Sequence, residues 1–200
     1  MLGPLTNTIH GVVNFTWPML IISIVIMVSV RVTYLFKNHE KIVIYKELLM
    51  LVFAIYILCL FQVVTFQDNS AISGNNYVPF REIFRYNITS RLFYKNVIGN
   101  LIMFLPFGFF ISYYLDTDRV QLTILLALVA SSAIEMVQSL IGRVFDIDDI
   151  ILNLLGAFLG FFIYKIFKDI GEKVPFIFKN EWVLNVISIL SLIGLFMILV

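Results

Sequence analysis

Between Glu135 and Asn153 the chain places Glu135, Gln138, Arg143, Asp146, Asp148, Asp149 and Asn153 inside sequence that is otherwise apolar enough for a bilayer. A charged side chain in a spanning segment costs about 2.5–3.5 kcal/mol on insertion scales, so such residues face a bundle interior or a wet cavity. Two chemistries suit them. In the first, Arg81, Arg85 and Arg143 grip a phosphate or carboxylate, while Glu135, Asp146 and Asp149 orient the guanidinium groups. In the second, Glu135 acts as general acid or base and Asp146, Asp148 and Asp149 hold a divalent cation such as Mg2+ or Ca2+ that stabilises phosphoryl charge. No nucleophile with an adjacent base and no phosphate-cradling glycine loop accompanies them. Recognition is therefore the leading reading, with no resident cofactor, and an intramembrane metal-dependent hydrolase or phosphatase acting on a phospholipid or polyprenyl phosphate is the alternative. The bland reading is a structural hairpin of capping aspartates and close-packed glycines.

The elements that position these residues are spanning helices. Apolar residues make up 60% of the 200 and charged ones 14%, which excludes an ordinary soluble domain. The expected fold is all-α, a polytopic membrane bundle of about six spanning helices, forming one domain over residues 1–200. The net charge of +1 says nothing about nucleic acid, and no basic run resembles a nucleic-acid patch, so no nucleic-acid partner is expected. Cys59 is the only cysteine, so no intrachain disulfide forms, and His10 and His39 flank opposite ends of the first apolar segment, too far apart to share zinc.

At 1.5 Å per residue, about twenty residues cross the roughly 30 Å hydrocarbon core. The spans expected on that basis are Asn14–Phe36, with Trp17 and Pro18 marking its start, then Leu48–Phe66, Val97–Leu115, Val120–Leu140, Asp148–Phe167 and Val183–Val200. Pro106 and Gly108 predict a kink in the third. The second connection, Gln67–Asn96, interleaves Arg81, Arg85, Arg91 and Lys95 with Phe80, Phe84, Tyr86, Phe93 and Tyr94. Pro79 could open a short interfacial helix there, with Arg81 and Arg85 on one face. Nine Lys and Arg follow spans one, three and five, against five after spans two and four. The positive-inside rule then puts both termini outside.

Helix parity gathers the polar groups. Asn96 and Asn100 open the third span, Glu135 and Gln138 lie near the end of the fourth, and Asp149 and Asn153 open the fifth, so all three sets fall at one membrane face. Glu135 and Gln138 share a helix face, and Asp149, Asn153, Gly156 and Gly160 line another whose small residues admit a close neighbour. The ligand-binding set expected from this parity is Arg81, Arg85, Asn96, Asn100, Glu135, Gln138, Arg143, Asp146, Asp149 and Asn153, with a membrane lipid or lipid-linked precursor as partner.

These residues carry a resemblance. Asn100-x-x-x-Phe104-x-Pro106-x-Gly108, Glu135-x-x-Gln138, Gly142-Arg143, Asp146-x-Asp148-Asp149, Asn153, Gly156 and Gly160, preceded by Pro79-Phe80-Arg81, resemble the VanZ-like family of bacterial membrane proteins, over residues 77–167. The resemblance implies a multi-pass protein of the bacterial cell membrane, and lowered susceptibility to teicoplanin-type glycopeptides without remodelling of the D-Ala-D-Ala target.

Overall fold

The computed structural model describes residues 3–39, 41–66, 74–173 and 180–199. The fold is all-α and polytopic, with no strand among the described residues. The opening of the second connection, 67–73, and Lys179 lie outside the described residues. Among the described residues five helices are long and apolar enough to cross a membrane: Trp17–Asn38, Ile44–Gln62, Arg91–Leu115, Val120–Leu140 and Ile147–Gly171. The sixth expected span corresponds to a shorter apolar stretch, Glu181–Ile193.

The chain divides into two compact units, Met1–Phe66 with Lys173–Val200, and Gln67–Glu172. The first holds α1 (Gly3–Asn38), α2 (Ile44–Phe66) and α8 (Glu181–Leu199), with α2 packed against both others. Pro18 lies inside α1 rather than at its start. A lone proline removes one hydrogen bond, and in hydrocarbon a helix that ends early leaves more backbone groups unsatisfied than one that continues. Arg31 donates through Nε and Nη2 to the two carboxylate oxygens of Glu47, both at 2.9 Å, which closes the α1–α2 turn with a bidentate pair. Asn185 Oδ1 accepts from the Tyr45 backbone N at 3.0 Å and ties α8 to α2.

The second unit contains α3 (Arg81–Arg85), α4 (Arg91–Phe93), a π-helical turn (Tyr94–Ile98), α5 (Gly99–Leu115), α6 (Val120–Leu140) and α7 (Ile147–Lys173). The third span thus begins at Arg91, earlier than Val97, because the π turn carries the helix back without a break. α5 continues as one helix through Pro106.

Three glycines set the core of this unit. A Cβ on Gly156 would lie 2.1 Å from the Leu101 carbonyl oxygen, one on Gly160 2.1 Å from that of Leu105, and one on Gly108 2.0 Å from that of Ala157. Backbone therefore rests on backbone, as a small-x-x-x-small face allows. Residues 156 and 160 meet 101 and 105 in the same order, so α5 and α7 run parallel. α6 returns between them in sequence and bonds α5 through Ser112 Oγ and Thr123 Oγ1, 2.9 Å apart and fully buried.

Candidate functional site

The starts of α5 and α7 and the end of α6 share one end of this unit, and their polar side chains interlock there. Glu135, 1% exposed, accepts at Oε2 from the Asp146 backbone N at 3.0 Å. With the Gln138 amide turned to suit its neighbours, its nitrogen donates to Glu135 Oε1 at 2.9 Å and its oxygen accepts from Arg143 Nη1. Asn100 Nδ2 donates to Asp149 Oδ1, joining α5 to α7. One turn deeper, Asn153 Nδ2 donates to Ser131 Oγ at 2.9 Å, joining α7 to α6.

Arg143 arrives here through the end of α6. Gly142 adopts φ +84°, the Gly142 N donates to the Ser139 carbonyl at 3.2 Å and the Arg143 N to the Gln138 carbonyl at 2.9 Å. This pair of bonds is a Schellman closure, which needs a left-handed residue that glycine supplies at least cost. It folds residue 143 back over the helix end, where its charge acts on both Glu135 and Asp149.

The aspartates divide their work. Asp146 Oδ1 accepts from the Asp148 backbone N at 2.9 Å and so caps α7. It also accepts from Asn76 Nδ2 at 2.8 Å. Asp148, 1% exposed, turns instead to a distant part of the chain. Its Oδ1 accepts from the Phe80 backbone N, and its Oδ2 from those of Glu82 at 2.7 Å and Ile83 at 3.2 Å. A carboxylate of α7 thereby satisfies the orphan amides of α3. Asn76 pins the same segment by backbone, its N donating to the Phe145 carbonyl at 2.8 Å and its O accepting from Ile147 N at 3.0 Å. Tyr77 stacks on Phe145 at 5.3 Å. The carboxyl of Asp146 is raised above its usual range, first by burial, against the Asp148 amide and Asn76.

The structure thus brings together Asn100, Glu135, Gln138, Arg143, Asp146, Asp149 and Asn153 from the expected set. Arg85 stands apart: it is exposed and pairs with Glu82 at 3.2 Å, its neighbour on the same short helix, rather than with the buried carboxylates. Arg81 is exposed beside it. Asn96 donates to Tyr86 Oη at 2.8 Å and serves the interfacial segment instead of the cluster. Asp146, Asp148 and Asp149 do not converge as metal ligands, since each serves different donors, and among the described residues no three His, Cys, Asp or Glu side chains are arranged to hold a metal ion. Both oxygens of Glu135 accept bonds from within the protein.

Two residues escaped the sequence reading. Asn76 lies outside any helix, and only its place just before Tyr77-x-Pro79 hints at a pinned turn. Ser131 is one turn from Glu135 on the same face of α6, a spacing that could have flagged it.

At the opposite end of the three helices the arrangement is shallow. Asp116 closes α5 in a left-handed conformation, and its Oδ1 accepts from Tyr164 Oη at 2.7 Å and Lys168 Nζ at 2.8 Å. Those two partners, Lys168 first, hold the Asp116 carboxyl below its usual range.

Comparison with known proteins gives one result. A family model described as VanZ/LLP1 matches residues 48–168, more than half of the chain. No curated protein and no solved structure matches.

Proposed function

We propose that this protein, which belongs to the VanZ/LLP1 family, is a bacterial cell-membrane protein that engages an anionic envelope lipid or lipid-linked cell-wall precursor and thereby lowers the access of teicoplanin-type glycopeptides to the wall. The observation that carries the reading is an exposed strip of cations beside the buried carboxylate network. Arg81, Arg85, Arg91 and Lys95 are all exposed, and among them stand Phe84, Leu92 and Tyr94 at 82%, 55% and 60% exposure. Cations alternating with large apolar side chains next to a spanning helix suit a headgroup layer, with each Lys or Arg contributing about 1 kcal/mol toward an anionic surface.

In this reading Arg81, Arg85 and Arg143 contact the phosphate or carboxylate. Glu135, Gln138, Asp146 and Asp149 fix the backbone and Arg143 around it, with Asn96, Asn100 and Asn153 bracing the helix ends. Guanidinium planes favour two-point contact with an oxyanion, which distinguishes them from a diffuse positive patch. The excess of Lys and Arg after spans one, three and five supports an outward orientation for this end, with both termini outside.

The test uses the purified protein in nanodiscs of phosphatidylglycerol or phosphatidylcholine. A double substitution Arg81→Ala and Arg91→Ala leaves the helices intact, and should weaken retention of the anionic lipid about tenfold, with little change for the zwitterionic one. Arg143→Ala should do the same and abolish glycopeptide tolerance in cells. Unchanged lipid retention with unchanged tolerance would overturn the reading.

A further inference from the structure

The second connection holds one residue in a conformation that its own side chain resists. Phe80 sits at φ +67°, in the left-handed region that glycine enters freely and a bulky residue rarely does. Its amide, with those of Glu82 and Ile83, is held by the buried carboxylate of Asp148, so the strained turn is fixed from beneath. What that turn displays is apolar. The Phe80 and Phe84 rings lie 6.2 Å apart, 49% and 82% exposed. Ile88 at 70% and Leu92 continue the same four-residue interval, while Ile83, Tyr86 and Phe93 between them are half-buried. The segment therefore has one side packed on protein and another of large apolar groups left open.

Three observations identify what covers the open side. Leu92 lies in the first turn of the apolar helix Arg91–Leu115, which sets the row at the edge of the hydrocarbon layer rather than out in water. Arg81, Arg85, Arg91 and Lys95, all exposed, stand next in sequence to Phe80, Phe84, Leu92 and Tyr94. In that alternation the apolar groups enter the acyl layer and the long cationic stems reach back to the headgroups. Lastly, the Asp148 clamp orders the backbone beforehand, so little conformational entropy remains to oppose insertion.

We propose that Phe80, Phe84, Ile88 and Leu92 insert among the acyl chains of the leaflet at this end, as a rigid wedge that a bilayer of any headgroup charge accepts. The wedge goes beyond the anionic grip of the arginines, because its partner is hydrocarbon and its affinity comes from apolar burial. A strained aromatic residue at the surface then has a purpose: glycine at position 80 would make the same turn at lower cost but leave the Phe84 ring without its neighbour. The protein thus meets the membrane through a non-spanning element as well as through its spanning helices.

The experiment places single nitroxide labels on the full chain, in a Cys59→Ser background, and reads their collisions with oxygen, which concentrates in hydrocarbon, and with a nickel chelate, which stays in water. In nanodiscs of phosphatidylcholine alone, labels at Phe84→Cys and Ile88→Cys should favour oxygen. Val129→Cys, exposed halfway along α6, gives the hydrocarbon reference, and Gly74→Cys, exposed with nothing within 4 Å of its Cβ position, gives the aqueous one. Adding phosphatidylglycerol should leave the preference at Phe84 and Ile88 unchanged. Phe80→Asp should cost the Phe84 label its preference for oxygen. If that variant fails to fold, Phe84→Asp read from the Ile88 label decides, since the Phe84 side chain is open to its surroundings. Preference for the nickel chelate at both positions overturns the proposal. So does preference for oxygen only when phosphatidylglycerol is present, and so does shielding from both reagents, the signature of a second protein chain on the row. Any of these failures leaves the lipid-retention test of Arg81 and Arg91 standing, because that test reads the difference between the two headgroups.

Discussion

At one end of α5, α6 and α7, Glu135 and Asp148 are 1% exposed and every carboxylate oxygen with a partner reaches a backbone amide or a neutral side-chain amide. At the other end Asp116 is open to solvent and pairs with Lys168 and Tyr164. Both ends tie α5 to α7 through an aspartate, Asp149 at one and Asp116 at the other. The difference lies in what replaces water. An exposed ion pair remains solvated and contributes little. A buried carboxylate must have its hydration replaced bond for bond, so it fixes the path of whatever donates to it. The deep end therefore specifies the structure of a long connection, while the shallow end only fastens a turn.

Between the two ends lies the glycine contact, and breaking it tests both at once. Gly160→Ala should destabilise the second unit by about 3 kcal/mol or more, because the new methyl group meets the Leu105 carbonyl and the Phe109 amide, neither of which can rotate away. Gly171→Ala, where nothing lies within 4 Å, should be neutral or slightly stabilising. Chemical denaturation in mild detergent checks the pair, and equal behaviour of the two variants would mean that the helices do not rest on each other there.

Next in size is the deep end itself. Asp148→Ala leaves the amides of Phe80, Glu82 and Ile83 without their acceptor and should cost about 2–4 kcal/mol. Amide exchange should speed up over residues 76–85 well before it changes in α6. Protection there that matches the unsubstituted protein would detach the segment from α7.

A pH series sharpens the contrast, since the rim of the deep end and the shallow end shift in opposite directions. The Asp146 carboxyl is raised from 3.8, so the folded state holds its proton where the unfolded chain has lost it. Its contribution to stability thus falls as pH climbs above 3.8 through the raised value. Asp146→Asn keeps an oxygen for Asn76 and for the α7 cap, and should gain on the unsubstituted protein as pH rises through that window. Asp116 is lowered from 3.8, so its smaller contribution is present above that value and is lost as pH falls through the folded one. Asp116→Asn should lower Tm slightly near neutrality and not at all in strong acid. Thermal melts across pH 3–7 read both, and curves of the same sign would remove the distinction between the ends.

The sequence carried the helices and much of the polar end because both depend on spacing along a helix. Glu135 with Gln138, and Asp149 with Asn153, Gly156 and Gly160, fall on single faces, and alternation of direction brings their ends together. The short helix behind Pro79 was legible for the same local reason, as is the contact of Phe80 with Phe84 at 6.2 Å. What stayed hidden is contact between a side chain and a backbone some 70 residues away. Asp148 reads as one more capping aspartate of its own helix, since nothing in its neighbourhood reveals that the amides of residues 80–83 arrive there. Asn76 is equally silent, because an irregular strand-like pairing has no period. Arg85 misled by composition: the guanidinium found its partner three residues back, a choice that local geometry favours over a desolvated carboxylate.

The three amides held by Asp148 have a mechanical meaning. Residues 80–83 and the first turn of α7 are joined at a buried point, so the aromatic and cationic surface around Phe84 cannot shift without loading α7, and through the Asp146 amide the carboxylate of Glu135 as well. Residues 80–83 are thereby joined to the Glu135 side chain by a path two hydrogen bonds long.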